Sequence, residues 1–221
     1  MSNLVKYLFI FFISYSFAQL PTGFVYANEV IPDLDVDLRY YSSNNFVGKP
    51  VTGYLSNELI LTRQAAEALK LVQEELQSQN LCLLVFDGYR PQQAVNHFMS
   101  WAKDLNDTVN KQRFYPDVAK QDLFKEEYIA TRSGHSKGST VDLTIIDGNT
   151  GKPLDMGSDF DFFGEASWVN YAHITEAQKA NRMLLQTVML KHGFRNYPKE
   201  WWHFTLRNEP FPTTYFDFPV E

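Results

Sequence analysis

The sequence predicts an α+β fold, and three observations support this class. Stretches with apolar residues at helical spacing lie between short runs of strand-forming residues, most of which do not alternate. No internal repeat, low-complexity tract or interdomain linker interrupts them. A length of 221 residues with 44% hydrophobic residues suits one domain with its own core. We therefore expect a single domain of helices and short strands rather than a doubly wound parallel sheet.

The first elements follow from hydrophobic periodicity. Leu34–Leu38 alternates apolar and polar side chains, which predicts a half-buried strand. Residues 62–79 carry apolar side chains on one helical face and predict an amphipathic helix. The continuous apolar run Leu81–Phe86 has the length of a strand, and we expect it near the centre of the sheet.

Turn-forming residues organise the middle of the chain. Asp87 and Gly88 predict a turn, and Pro91 suits the first position of a second helix. Residues 104–126 are polar and show no clear pattern. Val141–Ile146 predicts a further strand, which turn residues follow.

The last third of the chain shows helix-capping residues. Thr175 and Gln178 form a capping box for a helix that runs to about Lys191. Gly193 then stands where helices commonly end. Trp201–Leu206 is the final predicted strand.

Residues 1–27 have the pattern of a secretory signal peptide. Lys6 precedes a short apolar stretch and then small residues, with cleavage expected after Ala18 or Ala27. The apolar stretch is too short for a membrane span, which needs roughly 20 apolar residues. We expect an exported protein, periplasmic or secreted, with residues 28–221 as its domain and no stable membrane insertion after cleavage.

The charge of the chain excludes one class of function. The net charge is −6, and no cluster of Lys and Arg is visible. Because nucleic-acid binding needs a basic face, we expect no nucleic-acid partner.

The run Ser133–Asp142 is the first candidate for chemistry. Asp142 lies among strand-forming residues, where Asp is disfavoured, so its carboxylate must be solvated, paired or bound to a metal. His135 precedes it across a loop with Gly134 and Gly138, which allows the chain to turn back toward the strand. A solvated strand Asp with an exposed loop His remains an open alternative at this point.

A second candidate run is Glu200-Trp201-Trp202-His203. On a regular strand Glu200 and His203 would point to opposite faces, so we expect Glu200 in a turn if both serve one site. The alternative for His203 is a core histidine that is hydrogen-bonded to the backbone. Taken together, the two runs supply two histidines and a carboxylate, which suit a catalytic zinc ion, and Glu200 as a general base for the zinc-bound water.

A third run, Asp87-Gly88-Tyr89-Arg90-Pro91, follows the predicted central strand. Arg90 stands at a strand end, where its permanent charge can stabilise a developing oxyanion. The alternative is a surface salt bridge.

These three runs resemble those of the D-alanyl-D-alanine dipeptidases, within the zinc D-Ala-D-Ala peptidase superfamily. Further similarity lies in Asn45–Pro50, Met156–Ser158 and Tyr215–Pro219. The resemblance covers about residues 34–221. It implies a small, mostly antiparallel sheet that carries the zinc site and is flanked by helices, as in the D-Ala-D-Ala peptidase and hedgehog-like fold.

The resemblance also implies the roles of individual residues. One zinc ion per chain is expected on His135, Asp142 and His203, with Glu200 as base and Arg90 stabilising the tetrahedral intermediate. The substrate implied is the dipeptide D-alanyl-D-alanine. Three further pocket residues are expected to receive its two termini, namely Tyr40, Ser133 and Asp161.

Two other functions remain open from the sequence. One is a zinc D,D- or L,D-carboxypeptidase that trims peptidoglycan stem peptides with the same metal site. The other is a non-catalytic periplasmic binding protein, against which Glu200 argues, since a structural zinc needs no spare base.

Overall fold

The structure is a computed structural model that describes residues 20–221. Residues 1–19 of the predicted signal peptide therefore lie outside the described residues. The strands, in chain order, are β1 (Phe24–Tyr26), β2 (Asp35–Val36), β3 (Ile60–Thr62), β4 (Leu81–Asp87), β5 (Thr140–Asp147), β6 (Phe194–Tyr197) and β7 (Glu200–Leu206). The α-helices are α1 (Arg63–Gln77), α2 (Gln92–Lys103), α3 (Lys111–Phe114) and α4 (Glu176–Lys191).

The main sheet has five strands in the order β2-β4-β5-β7-β6. Only the short β2 runs parallel to its neighbour β4, and the other three pairings are antiparallel. Strands β1 and β3 form a separate antiparallel pair. Helices α1 and α4 pack against each other and against the main sheet. The prediction of a single α+β domain with a mostly antiparallel sheet is confirmed.

Strand β5 shows how the sheet separates core from site. Val141, Leu143 and Ile145 are fully buried apolar residues. They alternate with Asp142 and Thr144, which therefore project from the opposite face of the strand. One face of β5 belongs to the hydrophobic core, and the other directs Asp142 into a cavity.

The predicted helices agree with the structure to within two residues at their predicted ends. Helix α1 begins at Arg63, and the hydroxyl of Thr62 caps it by accepting a hydrogen bond from the backbone N–H of Ala65. The capping box of α4 is present as predicted, with Thr175 as its N-cap. Helix α2 begins at Gln92, so Pro91 is the residue that precedes the helix and not its first member.

Several strand predictions were wrong in extent. The alternating Leu34–Leu38 segment forms only the two-residue β2. Strands β1, β3 and β6 were not predicted; each has three or four residues, too few to show a period. Within the part of the chain that the structure covers, no helix combines the length and the apolar character that crossing a membrane requires.

Candidate active site

The antiparallel pairing of β5 and β7 brings two site residues together. Asp142 lies directly opposite His203 in the register of these strands. Residues opposite each other in an antiparallel pair project from the same face. The sheet alone therefore places the carboxylate beside the imidazole.

A tight turn before β5 supplies the third residue. His135 lies in a single 3₁₀ turn, Gly134–Lys137, which Gly138 ends with a φ of 81°. A side chain at Gly138 would also collide with the ring of Phe24. The left-handed conformation and the close approach both require glycine here, and they turn the chain so that His135 is buried over Asp142.

The three side chains converge on one point. Nε2 of His135 lies 3.2 Å from Oδ2 of Asp142, and Nδ1 of His203 lies 3.0 Å from Oδ1. The two imidazole nitrogens are 3.3 Å apart. Ligands at about 2.0–2.1 Å around a tetrahedral ion are separated by roughly 3.3 Å. The spacing thus matches a metal site, and these residues form a group that could hold an ion.

The hydrogen bonds around the cluster agree with metal binding. Oδ1 of Asp142 is buried and accepts no hydrogen bond within residues 20–221. Nδ1 of His135 lies 2.8 Å from the carbonyl oxygen of Gly88. Donation to that carbonyl fixes the proton on Nδ1 and leaves the lone pair of Nε2 directed at the cluster. The exposed histidine and solvated aspartate considered above are excluded for this pair, because both side chains are buried.

Charge interactions oppose the effect of burial within the cluster. Burial raises the pKa of Asp142, but the imidazoles of His135 and His203 outweigh it and hold that pKa below its usual range. Burial lowers the pKa of His203, and the close contact with the negatively charged Asp142 outweighs burial, so the net shift is upward. The cluster therefore contains an ionised carboxylate that favours a cation between the histidines.

Glu200 lies beside the cluster. Its Oε2 is 3.4 Å from Nδ1 of His203. Glu200 is the first residue of β7 and not a turn residue as expected, but the register between β6 and β7 shifts between Asn196 and Tyr197. This irregularity lets Glu200 and His203 reach one site despite their odd spacing. Desolvation raises the pKa of Glu200, which favours acceptance of a proton.

Arg90 points into the same cavity and is buried, not a surface residue. Its Nε donates to Oδ2 of Asp87 at 2.9 Å, and Nη2 lies 2.8 Å from the same oxygen. Nη2 is also 3.5 Å from Oδ2 of Asp142. The hydroxyl of Tyr54 donates to the other oxygen of Asp87 at 2.6 Å. Asp87, predicted only as a turn residue, is instead the buried last residue of β4 and fixes the direction of the guanidinium.

Tyr40 and Asp161 form a second polar pair. The hydroxyl of Tyr40 lies 3.0 and 3.1 Å from the two carboxylate oxygens of Asp161. Asp161 is only 6% exposed and has a φ of 62°, in the left-handed region. Burial, followed by the charge of Asp142, raises the pKa of Asp161 well above its usual range. Such a shift indicates a carboxylate that lacks a full counter-charge.

One small cavity of about 250 Å³ is lined by the metal-site cluster and by Glu200, Arg90, Tyr40 and Asp161. Ser133 lines it too, and the Ser133 hydroxyl accepts a hydrogen bond from the backbone N–H of His135 at 3.3 Å. All eight residues singled out in the sequence line this cavity, namely Tyr40, Arg90, Ser133, His135, Asp142, Asp161, Glu200 and His203. Aromatic side chains supply much of the wall, among them Phe46, Phe98, Phe163 and Trp202.

Some residues at the cavity were missed by the sequence analysis. Glu127, Tyr128 and Arg132 line it from the loop that follows residues 104–126, for which the sequence predicted no element. Glu127 forms an ion pair at 2.6 Å with Lys199, which directly precedes Glu200 in the chain. No sequence period marks these residues, since only the tertiary fold brings their segment to the β6–β7 turn.

Two histidines and an aspartate that converge beside a glutamate, at the base of a small cavity, define the class of a metallopeptidase. The family model described as D-ala-D-ala dipeptidase matches residues 21–221. The chain belongs to this D-Ala-D-Ala dipeptidase family and is an enzyme of the metallopeptidase class.

Relatives named D-alanyl-D-alanine dipeptidase match over most of their length. The protein from Enterococcus faecium is 41% identical over 201 residues, which cover 90% of this chain and 98% of the relative. The protein from Streptomyces coelicolor is 41% identical over 197 residues, with 89% and 98% covered. The Escherichia coli protein is 32% identical over 177 residues, with 80% and 81% covered.

Two solved structures show a weaker similarity. The vancomycin-resistance D,D-pentapeptidase VanY, in complex with Zn(II), is 16% identical with a TM-score of 0.43, over 70% of this chain and 77% of that one. The D,D-dipeptidase VanXYg, in complex with a D-Ala-D-Ala phosphinate analog, is 17% identical with a TM-score of 0.37, over 85% and 67%.

Proposed function

We propose that this enzyme is a zinc-dependent dipeptidase that hydrolyses D-alanyl-D-alanine to two molecules of D-alanine. The observation that carries the proposal is the convergence of His135, Asp142, His203 and Glu200 in one small cavity. Relatives at 41% identity over about nine-tenths of the chain bear the name of this activity.

The donor set suits zinc. Imidazole nitrogens are borderline ligands and carboxylate oxygens are hard ligands, and Zn²⁺ accepts both. Three protein ligands leave a fourth position for water or substrate. When bound, zinc supplies a Lewis acid that polarises the scissile carbonyl and lowers the pKa of water. His135, Asp142 and His203 would hold the ion.

Glu200 moves the proton in this proposal. Its carboxylate takes a proton from the attacking water, whose oxygen forms the new bond to the peptide carbonyl carbon. The proton passes to the amide nitrogen as the C–N bond breaks, so that one acid and one amine leave. The upward shift of the Glu200 pKa brings it closer to the working pH, where a base both accepts and returns a proton.

Arg90 stabilises the negative charge that develops on the carbonyl oxygen. The hydrogen bonds that the guanidinium donates to Asp87 hold it in one direction, so no reorganisation is needed when charge develops. The ring of Tyr40 lies 5.0 Å from the guanidinium carbon and covers one of its faces.

The two termini of the substrate need partners in the cavity. We assign the ammonium group to Asp161, whose raised pKa reflects a missing cation. Tyr40, hydrogen-bonded to Asp161, completes that end, and Ser133 supplies a hydroxyl for a terminus of the dipeptide. A cavity of about 250 Å³ lies below the roughly 300–1,000 Å³ of common ligand pockets, which favours a dipeptide over a longer chain.

One comparison of substrates tests the proposal against a zinc carboxypeptidase. D-Ala-D-Ala should be hydrolysed efficiently, and N-acetyl-D-Ala-D-Ala at least tens-fold less so, because acetylation leaves Asp161 without its cation. Release of D-alanine from each substrate, and from a pentapeptide stem, measures this. Equal rates on the acetylated or stem substrates would establish the carboxypeptidase instead.

We also propose that the protein is exported and that the leader is cut after Ala18. The alternative cut after Ala27 would remove β1, in which Phe24 and Val25 are buried. Ala27 itself is buried and donates its N–H to the carbonyl of Leu59. A cut after Ala18 leaves all these contacts in place.

A further inference from the structure

Arg182 is a buried arginine whose guanidinium is bound by backbone carbonyls. It lies on α4 and is only 3% exposed. Its Nε donates to the carbonyl of Met156 at 2.6 Å, its Nη1 to Trp168 at 2.7 Å and its Nη2 to Ala166 at 2.7 Å. Burial lowers the pKa of Arg182 to about 10, so the group remains charged at neutral pH. All three sides of the guanidinium are therefore engaged.

The three carbonyls lie at the two ends of one loop, residues 156–168. Met156 begins this loop, and Ala166 and Trp168 end it. Within the loop, the hydroxyl of Ser167 donates to the carbonyl of Phe162 at 2.6 Å. Arg182 thus joins the ends of a segment from which Asp161 and Phe163 line the catalytic cavity.

Asp161 lies in this loop, and its backbone is in a conformation that non-glycine residues avoid. Its φ of 62° persists only where the surrounding structure holds it. Its carboxylate must also meet the hydroxyl of Tyr40, which belongs to a distant part of the chain. The direction of the Asp161 side chain therefore depends on how firmly loop 156–168 is held.

We propose that Arg182 is a positioning residue for substrate recognition, which holds loop 156–168 so that Asp161 receives the substrate ammonium. This inference rests on the proposed function. The planar guanidinium has donors in fixed directions and can bind three carbonyls at once, whereas a lysine ammonium cannot match that geometry. A small displacement of a binding group is enough to weaken recognition strongly.

The separation of Arg182 from the metal cluster predicts which kinetic constant changes. The ligands and Glu200 lie on β5, β7 and the turn before β5, none of which Arg182 contacts through these hydrogen bonds. Loss of Arg182 should therefore weaken binding of the free amine and leave the hydrolytic groups in place. In such a variant we expect KM to rise and kcat to stay unchanged, while the preference for the free over the acetylated dipeptide falls.

The test uses the zinc-loaded enzyme with the substitutions Arg182→Lys and Arg182→Met. The matched control is Arg207→Lys, whose Nε donates to a single carbonyl, that of Phe194, away from the loop. Zinc content, thermal stability, and kcat and KM on D-Ala-D-Ala and N-acetyl-D-Ala-D-Ala are measured for each. For Arg182→Lys we expect full zinc, kcat within about threefold, and a KM about tenfold higher, with the preference reduced by a similar factor. Arg207→Lys should match the parent enzyme.

A double variant separates this inference from the proposed function. If Arg182 acts through Asp161, adding Arg182→Lys to Asp161→Ala should change KM little further. An Asp161→Ala enzyme with normal KM and normal preference would refute the amine assignment itself. If Asp161→Ala raises KM but Arg182→Lys does not, only the role of Arg182 is refuted. If kcat and zinc content fall in proportion to the loss of stability, the positioning role of Arg182 is also refuted. If Arg182→Met does not fold, the result for Arg182→Lys alone decides between these outcomes.

Discussion

His203 and Asp142 face each other across two paired strands, with Nδ1 of the histidine 3.0 Å from Oδ1 of the carboxylate. Backbone hydrogen bonds between β5 and β7 fix this pair, and they do not depend on either side chain. The geometry of these two proposed ligands is therefore built into the sheet. Substitutions of the ligands should remove metal without removing the fold.

Replacing His203 tests this relationship. His203→Ala should remain folded, because the strand pairing persists, but should lose zinc and turnover. His192→Ala is the matched control, since His192 contacts Glu75 and not the cluster. Zinc per chain, circular dichroism and dipeptide hydrolysis are the measurements. Full zinc and full turnover in His203→Ala would show that the ligand assignment is wrong.

Replacing Glu200 should separate chemistry from metal binding. Glu200→Gln keeps the size of the side chain but cannot take a proton from water. We expect near-normal zinc content and a loss of about 10²–10⁴ in turnover, the usual contribution of a general base. Metal analysis and single-turnover kinetics test this. Loss of zinc in this variant would instead identify Glu200 as a ligand.

Replacing Arg90 should affect both stability and turnover. Arg90→Ala leaves the buried carboxylate of Asp87 without its cation, which typically costs about 3–5 kcal/mol of unfolding free energy. Turnover should fall by about 10²–10³ as an oxyanion donor is lost. Adding Asp87→Asn to Arg90→Ala should restore much of the stability and none of the turnover. Recovery of turnover in the double variant would exclude an oxyanion role.

The proposed processing site predicts a defined N-terminus. Protein isolated from its native host should begin at Gln19. A form that begins at Asn28 lacks β1 and exposes the apolar surface that Phe24 and Val25 cover, so we expect its melting temperature to be clearly lower. N-terminal sequencing and thermal unfolding of both forms test this. A native protein that starts at Asn28 would refute the proposed cut.

The sequence allowed the longer elements and the site motifs to be predicted. Helices α1 and α4 carry periodic apolar faces and capping residues, which are local properties. Strand β1 pairs Phe24 with Thr62, far along the chain, and its three residues carry no period of their own. Residues such as these are ordered by tertiary contacts, which a local pattern does not contain.

The same distinction applies within the site. The residues that line the cavity lie in recognisable runs, whereas the residues that hold them in position do not. Asp87 acts through contacts with Tyr54 and Arg90, and Arg182 reaches carbonyls of a loop that precedes its helix. From the sequence, Arg182 is simply a polar residue on an amphipathic helix. Only the packed structure shows its buried contacts.

The strand pairing of Asp142 with His203 also has a consequence for where metal is acquired. His203 lies 68 residues after His135, so the cluster forms only when β7 has paired with β5. An unfolded chain lacks a preformed site, and binding free energy is gained at the moment of folding. Because protein ligands bind copper more tightly than zinc in general, the metal supply of the folding compartment determines which ion enters. If this chain is exported unfolded, as proposed above, it would take its metal from the pool on the far side of the membrane.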